Sequence, residues 1–271
     1  MNFLYLHSSR NIQKMYKSIL MKLTGICLLA VSLLFSSCKK DADENSPDPV
    51  STTGSLRINV SNEVDGQPIQ LGQQIYTNAA GNLYQVDLLK YYLTNVTLIK
   101  ADSTEYNLQN YDLINAAVDT TCHISASGIP NGTYTRMRFY LGIDTARNHT
   151  GAQEGDLDPI NGMIWTWNTG YIFFKHEGIF RTTAGNDTSL LYHYGTDNVL
   201  VTVDLPLNNL EINGNSRKIF LKFNLNQLYS NPVIVDFNNN NYHQSTSVDD
   251  RPWMSDLFGN FPQSFSIDHI E

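Results

Sequence analysis

Residues 133–141 read T-Y-T-R-M-R-F-Y-L, and their alternation decides the fold class. Thr135, Met137, Phe139 and Leu141 fall on one face of an extended chain, whereas arginines and tyrosines fall on the other. Successive side chains of a β-strand point to opposite faces of the sheet, so this period of two predicts a strand with one buried face.

The same alternation recurs on both sides of this segment. Apolar residues occupy every second position in residues 56–60, 199–205 and 219–225. Between such segments lie turn sequences that can supply positive φ angles, namely Asp65-Gly66, Ala80-Gly81-Asn82, Pro130-Asn131-Gly132, Asn161-Gly162 and Asn213-Gly214-Asn215. The pattern is typical of strands joined by tight turns.

Helical periodicity is weak throughout the chain. The best candidates, residues 224–229 and 249–258, are a turn or two each. Parallel α/β folds need crossover helices, which the pattern lacks. We therefore predict an all-β fold for residues 55–271: a single-domain antiparallel β-sandwich with Greek-key-like connections, long loops and a few short helical turns.

Composition and charge narrow the class of partner. The chain has 271 residues, of which 41% are hydrophobic, so it can bury a sizeable core. Four of the 18 basic residues precede Cys38 and no acidic residue does, which leaves 14 basic and 26 acidic residues and a net charge of −12. A surface this negative repels phosphate backbones and disfavours nucleic acid as a partner.

The first residues resemble an export signal. Thirteen mostly apolar residues, 23–35, follow a basic flank and are too few to cross a bilayer as a helix. They end in Leu34-Phe35-Ser36-Ser37-Cys38, which resembles the lipobox of bacterial lipoproteins. A buried apolar helix with an incidental cysteine is the alternative, and the polar stretch after Cys38 argues against it.

These features predict an organisation for the whole chain. Residues 1–37 are a leader and lipoprotein signal peptide, and residues 38–54 are a flexible acidic tether with almost no apolar residue. Lipidation at Cys38 would make the protein an exported outer-membrane lipoprotein on the periplasmic or cell-surface face. Cys122 is then alone, so the mature chain holds no internal disulfide, and Cys122 is a small buried hydrophobe or a soft metal ligand.

The common enzyme fingerprints are missing from the sequence. It contains no phosphate-binding glycine loop, nucleophile elbow or His-Glu-x-x-His pair, so we predict that the protein is not an enzyme. The unusual segments are residues 142–148, G-I-D-T-A-R-N, and residues 157–173, which contain L-D-P-x-N-G-M-x-W-T-W-N-T-G-Y-I-F. Residues 90–96, K-Y-Y-L-T-N-V, and 265–269, F-S-I-D-H, accompany them.

These segments together resemble the MbnP-like copper-binding domain, a family of exported β-rich proteins, and most closely its lipid-anchored Bacteroidetes members. The resemblance covers residues 55–271. It implies copper as the cofactor, held through histidines and a tryptophan oxidised to kynurenine, and it implies a dihaem partner of the cytochrome-c-peroxidase type that installs the oxidation. Neutral imidazole is a good ligand for copper, which agrees with this implication.

Three histidines are the candidate metal ligands: His193, His269 and His149. His193 shares a strand face with Leu191, and a satisfied core histidine is the competing interpretation. His269 follows Asp268 on the last strand, where Phe265 and Ile267 share its predicted face. His149 lies in an exposed loop without a predicted supporting partner. His176 is predicted to be packed or at a sheet edge, and His123 and His243 show no pattern beyond composition.

Trp165 and Trp167 are the candidate oxidised tryptophans, with structural packing as the alternative role for both. Asp144, Arg147, Asp158, Glu177 and Asp268 are the candidate polar residues. They either form an ion-pair network around a site or brace loops, and loop bracing is the more frequent role of such groups.

A rival function comes from a different class. A tethered β-sandwich with Trp165, Trp167, Trp253 and 15 tyrosines could present an aromatic platform for glycan binding or adhesion. Convergent histidine nitrogens would favour copper, whereas flat exposed tryptophan rings would favour a glycan. A hydrolase with paired carboxylates ranks last, because no acid/base pair is located.

Overall fold

Strands account for most of the regular structure, as the alternation predicts. The computed structural model describes residues 51–165, 170–245 and 250–271, with Asn209 described by its backbone alone. The described strands are β1 (Thr53–Val64), β2 (Gln67–Pro68), β3 (Gln74–Thr77), β4 (Leu83–Lys100), β5 (Glu105–Asn107), β6 (Tyr111–Asn115), β7 (His123–Pro130), β8 (Gly132–Leu141), β9 (Phe174–Arg181), β10 (Asp187–Tyr194), β11 (Val201–Ile212), β12 (Ser216–Asn224), β13 (Tyr242–Gln244) and β14 (Phe265–Ile270).

The smaller of the two sheets is built around the first strand. Its order is β14-β12-β1-β2, and β7 also pairs with β1. β1 and β12 run parallel, with Ser55 opposite Ser216 and Glu63 opposite Asn224. The remaining pairs in this sheet are antiparallel.

The larger sheet is organised by its longest strand. The order is β11-β8-β4-β9-β10-β13, and the short strands β3, β5 and β6 also pair with β4. β4 is continuous over 18 residues, so it reaches partners at both of its ends. β13 adds to β10 in parallel, with Leu191 opposite Tyr242 and His193 opposite Gln244.

The core lies between the two sheets. Tyr91 of β4 packs on Phe223 of β12 with ring centroids 4.9 Å apart, and Phe139 of β8 packs on Phe265 of β14 at 5.2 Å. These rings are almost fully buried, and each stabilises the fold by roughly 1.5–3 kcal/mol through removal of apolar surface from water. The predicted all-β sandwich is confirmed, and the structure adds two parallel strand pairs to a mainly antiparallel arrangement.

Short helices occur near both predicted positions. α1 (Thr145–Asn148) lies between β8 and β9. α2 (Leu225–Leu228) begins after Asn224, whose side chain caps it. α3 (Arg251–Asn260) buries Trp253 and Leu257. α3 packs on β10, where the Trp253 ring lies 5.0 Å from that of Tyr192. Among the described residues, no helix has the length and apolar character needed to span a membrane.

Candidate metal centre

His193 lies on β10 and has a carboxylate partner. Its Nε2 is 2.8 Å from Oε1 of Glu177 on β9, and its ring lies 6.2 Å from that of Trp165. Burial lowers the pKa of His193, although the hydrogen bond to Glu177 opposes this shift. Burial raises the pKa of Glu177, but hydrogen bonds from His193 and Lys175 outweigh it and the pKa is lowered overall. His193 is thus a largely buried, neutral and hydrogen-bonded imidazole.

His149 also has a carboxylate partner, which the sequence did not indicate. It caps the C-terminal end of α1, and its Nε2 lies 2.9 Å from Oδ2 of Asp197. Asn148 donates to the other oxygen of Asp197 and accepts from the backbone N–H of Tyr171. His149 therefore belongs to a group of hydrogen bonds that connects α1 with the residues after β10.

His269 lies on the other sheet, away from both. The register of β14 shifts between Phe220 and Leu221 of its partner strand, and Asp268 is the extra residue. This bulge turns His269 to the outer face of the sheet, opposite to the face predicted from Phe265 and Ile267. There the ring stacks on Phe220 at 4.0 Å and is about half exposed.

The three predicted ligands are therefore not brought together. In the described ranges, no group of three His, Cys, Asp or Glu side chains converges to hold a metal ion. Cys122, the alternative soft ligand, is half-buried and hydrogen-bonded to Asn62 and to the carbonyl of Asn115. Burial raises its pKa, so the thiol stays protonated and is a poor ligand.

The predicted tryptophan sites have different outcomes. Trp165 is 5% exposed, follows the Ile164–Tyr171 bridge in the chain and belongs to the buried core, so it packs as the alternative interpretation expects. Trp253 is 2% exposed. Neither described ring offers a flat face for a sugar, which removes support from the glycan interpretation. Trp167 lies outside the described residues, as does Cys38.

The predicted polar residues brace loops in separate places. Asp144 caps α1 and accepts hydrogen bonds from Asn95 and Tyr111, whereas Asp158 caps the 3₁₀ helix at Pro159–Asn161. Asp268 on β14 pairs with Lys222 on the neighbouring strand β12 of the smaller sheet.

Arg147 lies over the Tyr111 ring at 5.2 Å, and its Nη1 donates to Gln153 at 2.8 Å. It lines a surface pocket of about 490 Å³ with Tyr111, Gln153, Glu154, Asp156 and Leu157. These contacts, like those of the predicted carboxylates, match the loop-bracing alternative.

A different histidine has the environment expected of a metal ligand. His243 on β13 places Nδ1 2.7 Å from Oδ1 of Asp250, and its ring stacks on Trp253 with centroids 4.8 Å apart and an angle of 14°. Its Nε2 is buried, and no described residue hydrogen-bonds to it. A carboxylate on Nδ1 favours the tautomer with a bare Nε2, which is the arrangement of metal-bound histidines.

His176 differs from His243, because its Nδ1 meets a phenol hydroxyl rather than a carboxylate. It lies on β9, is completely buried, and forms a hydrogen bond through Nδ1 with the hydroxyl of Tyr229. Burial lowers its pKa to about 3, against a smaller opposing effect of the Glu177 charge. Its Nε2 also meets no partner within the described part of the chain. Tyr192 on β10 separates it from His243, with ring centroids 6.3 and 6.1 Å away.

These observations give a partial fit to a copper ion. His243 offers a buried, carboxylate-oriented imidazole nitrogen to which no described residue hydrogen-bonds, and imidazole is a good copper ligand. Its side chain is 16% exposed, so the site lies close to the surface. The sequence showed no pattern at His243, because the carboxylate of Asp250 and the ring of Trp253 reach it only after α3 folds against β10.

Comparison with known proteins gives a match to one protein family. The family model named MbnP matches residues 53–247, which is more than half of the chain. Among solved structures, MbnP from Methylosinus trichosporium is similar at 13% sequence identity and a TM-score of 0.48, over 69% of this chain and 80% of that one. No curated protein matches the chain.

Proposed function

This chain belongs to the MbnP family, and from that premise we propose that it is an exported copper-binding protein in which His243 is a copper ligand. Family membership supports a role in metal handling. The observation that carries the proposal is the buried Nε2 of His243, which meets no hydrogen-bond partner among the described residues and whose Nδ1 lies 2.7 Å from Oδ1 of Asp250.

Trp253 is the described tryptophan best placed to join this site. Its ring stacks directly on His243 and contacts Tyr192. Oxidation to kynurenine, which the resemblance implies for one tryptophan, would open the indole and expose an aryl amine and a ketone beside the imidazole. We therefore assign this modification to Trp253 rather than to Trp165, because the Trp253 ring stacks on His243 at 4.8 Å whereas the Trp165 ring is tilted and lies 6.2 Å from that of His193.

The remaining parts of the proposal follow from the resemblance and the sequence. The protein acts in metal acquisition or handling without turnover of its own. A dihaem partner of the cytochrome-c-peroxidase type oxidises the tryptophan, and the net charge of −12 on residues 38–271 suits docking to a basic surface. A lipid on Cys38 anchors the protein to the outer membrane.

Copper titration of matched histidine variants tests the assignment. We expect His243→Ala to abolish tight binding and Asp250→Asn to weaken it by roughly 10–100-fold, the usual effect of removing the carboxylate behind a ligating histidine. Binding is measured by calorimetry and by copper content after desalting.

His269→Ala is the matched control, because His269 has the same Nδ1-to-aspartate contact of 2.7 Å on an exposed surface. Its copper affinity should equal that of the unmodified protein. Unchanged affinity in His243→Ala would overturn the assignment of this ligand.

A further inference from the structure

Tyr229 forms an unusual hydrogen bond in the core. Its hydroxyl meets Nδ1 of His176, and the two rings stack with centroids 5.9 Å apart and an angle of 25°. Both side chains are completely buried. Tyr229 is the residue that ends α2, whereas His176 lies on β9, so the bond joins two separate elements.

The neighbouring phenols have weaker bases as partners. Within the described residues, Tyr84 donates to the amide oxygen of Asn226 and Tyr192 donates to the backbone carbonyl of Asn240. Their rings lie 6.2 and 5.9 Å from that of Tyr229. An imidazole accepts a proton far more readily than an amide oxygen does, so Tyr229 differs chemically from the tyrosines around it.

This difference matters for one-electron oxidation. A phenol that loses an electron becomes strongly acidic and must release its proton to a nearby base. Burial keeps the pKa of Tyr229 well above its usual value and keeps His176 neutral, so the proton is on the phenol and the imidazole is free to accept it. The carboxylate of Glu177, next in the chain, stabilises the imidazolium that results.

We propose that Tyr229 and His176 form a buried redox-active pair. A high-potential one-electron oxidant, such as an oxidised metal complex at the surface, takes one electron from Tyr229 and is itself reduced. The O–H bond of Tyr229 breaks, and its proton forms an N–H bond at Nδ1 of His176. The products are a neutral tyrosyl radical and an imidazolium, and the return of one electron reverses both changes.

A path of oxidisable rings leads from this pair towards the surface. Tyr192 lies 5.9 Å from Tyr229, and Trp253 lies 5.0 Å from Tyr192. Trp253 stacks on His243, which is partly exposed. An oxidant docked near His243 can therefore withdraw an electron from Tyr229 through two intermediate rings. The pair does not depend on bound copper.

Flash oxidation followed by electron paramagnetic resonance tests the pair. The full chain, freed of metal with EDTA, is illuminated with a ruthenium tris-bipyridine sensitiser and persulfate and then frozen. We expect a long-lived tyrosyl radical, and selective nitrogen-15 labelling of histidine should change its hyperfine pattern. Tyr229→Phe, which removes only a hydroxyl, should abolish this long-lived signal.

Two further variants distinguish loss of the redox pair from a general effect of changing a buried side chain. His176→Leu keeps Tyr229 but removes the proton acceptor, so the long-lived radical should be lost there too. Tyr134→Phe is the control, because Tyr134 is equally buried but donates to the carbonyl of Pro130 outside this cluster, and it should retain the radical.

Thermal unfolding by circular dichroism establishes that each variant is folded. A long-lived radical that survives in Tyr229→Phe, or only short-lived radicals in the unmodified protein, would overturn the proposal. Because copper is absent throughout, either result leaves the assignment of His243 untouched.

Discussion

A neutral histidine in the core makes stability depend on pH. His176 has a folded-state pKa of about 3, whereas an unfolded histidine titrates near 6.5. Below pH 6.5 the imidazole of residue 176 binds a proton in the unfolded chain but not in the folded one, so acid favours unfolding. The free energy of unfolding is therefore highest, as far as His176 is concerned, above pH 6.5. It falls as the pH drops towards 3, by up to about 1.4 kcal/mol per pH unit.

We predict that His176→Gln removes this slope. The free energy of unfolding of the variant, measured by urea denaturation from about pH 8 down to about pH 4, should fall less steeply than that of the unmodified protein once the pH drops below the ordinary histidine pKa of 6.5. Carboxylates contribute equally to both proteins, so the difference between them isolates His176. Parallel curves for the two proteins would contradict the prediction.

At the scale of single residues, the sequence predicted which side chains are buried better than it predicted which side chains contact each other. The alternation placed His193 on the same face as Leu191, and the structure confirms that this histidine is mostly buried. The importance of His243 depends on Asp250 and Trp253, which come from another element, and no local pattern contains that information. The face of His269 depends on one inserted residue in β14, which alternation alone does not reveal.

The pairing of β4 with β9 depends on one residue without a side chain. A Cβ atom at Gly178 would lie 2.0 Å from the carbonyl oxygen of Gln85, which belongs to the neighbouring strand. We predict that Gly178→Ala forces the two strands apart and lowers the free energy of unfolding by about 3 kcal/mol, the upper part of the range for overpacking. Chemical denaturation measures this change.

Gly259 provides the matched control within α3. A Cβ there meets no atom closer than Pro232 at 4.0 Å, and the residue is helical. Gly259→Ala should therefore raise the free energy of unfolding by about 0.5–1 kcal/mol through a smaller loss of backbone entropy. Equal effects of the two substitutions would show that the close contact at Gly178 relaxes without cost.

At the scale of elements, local pattern predicted strands but not every face or neighbour. Residues 133–141 form most of β8, and Met137, Phe139 and Leu141 are buried as predicted. Tyr134 is buried in place of Thr135, because the register between β4 and β8 shifts at Ile99 and Lys100. The parallel neighbours of β1 and β10 come from distant segments, so pairing them requires knowledge of the tertiary fold.

At the scale of the whole molecule, the proposed lipid anchor gives a direct test. We predict that Cys38→Ser moves the protein from the membrane fraction to the soluble fraction of the native host, because a thioether-linked lipid can no longer form. Fractionation followed by immunoblotting and intact-mass measurement checks both the location and the loss of lipid mass. Cys122→Ser is the control and should stay with the membrane, and an unchanged distribution of Cys38→Ser would contradict the anchor.

The parallel pairing of β1 with β12 restricts when the smaller sheet can assemble. β1 leaves the ribosome long before residues 216–224 do, yet these residues form its parallel neighbour. Closing so long a loop is entropically costly and slow. The smaller sheet is therefore completed only after most of the chain has emerged, and its first strand gains its full set of neighbours late in synthesis.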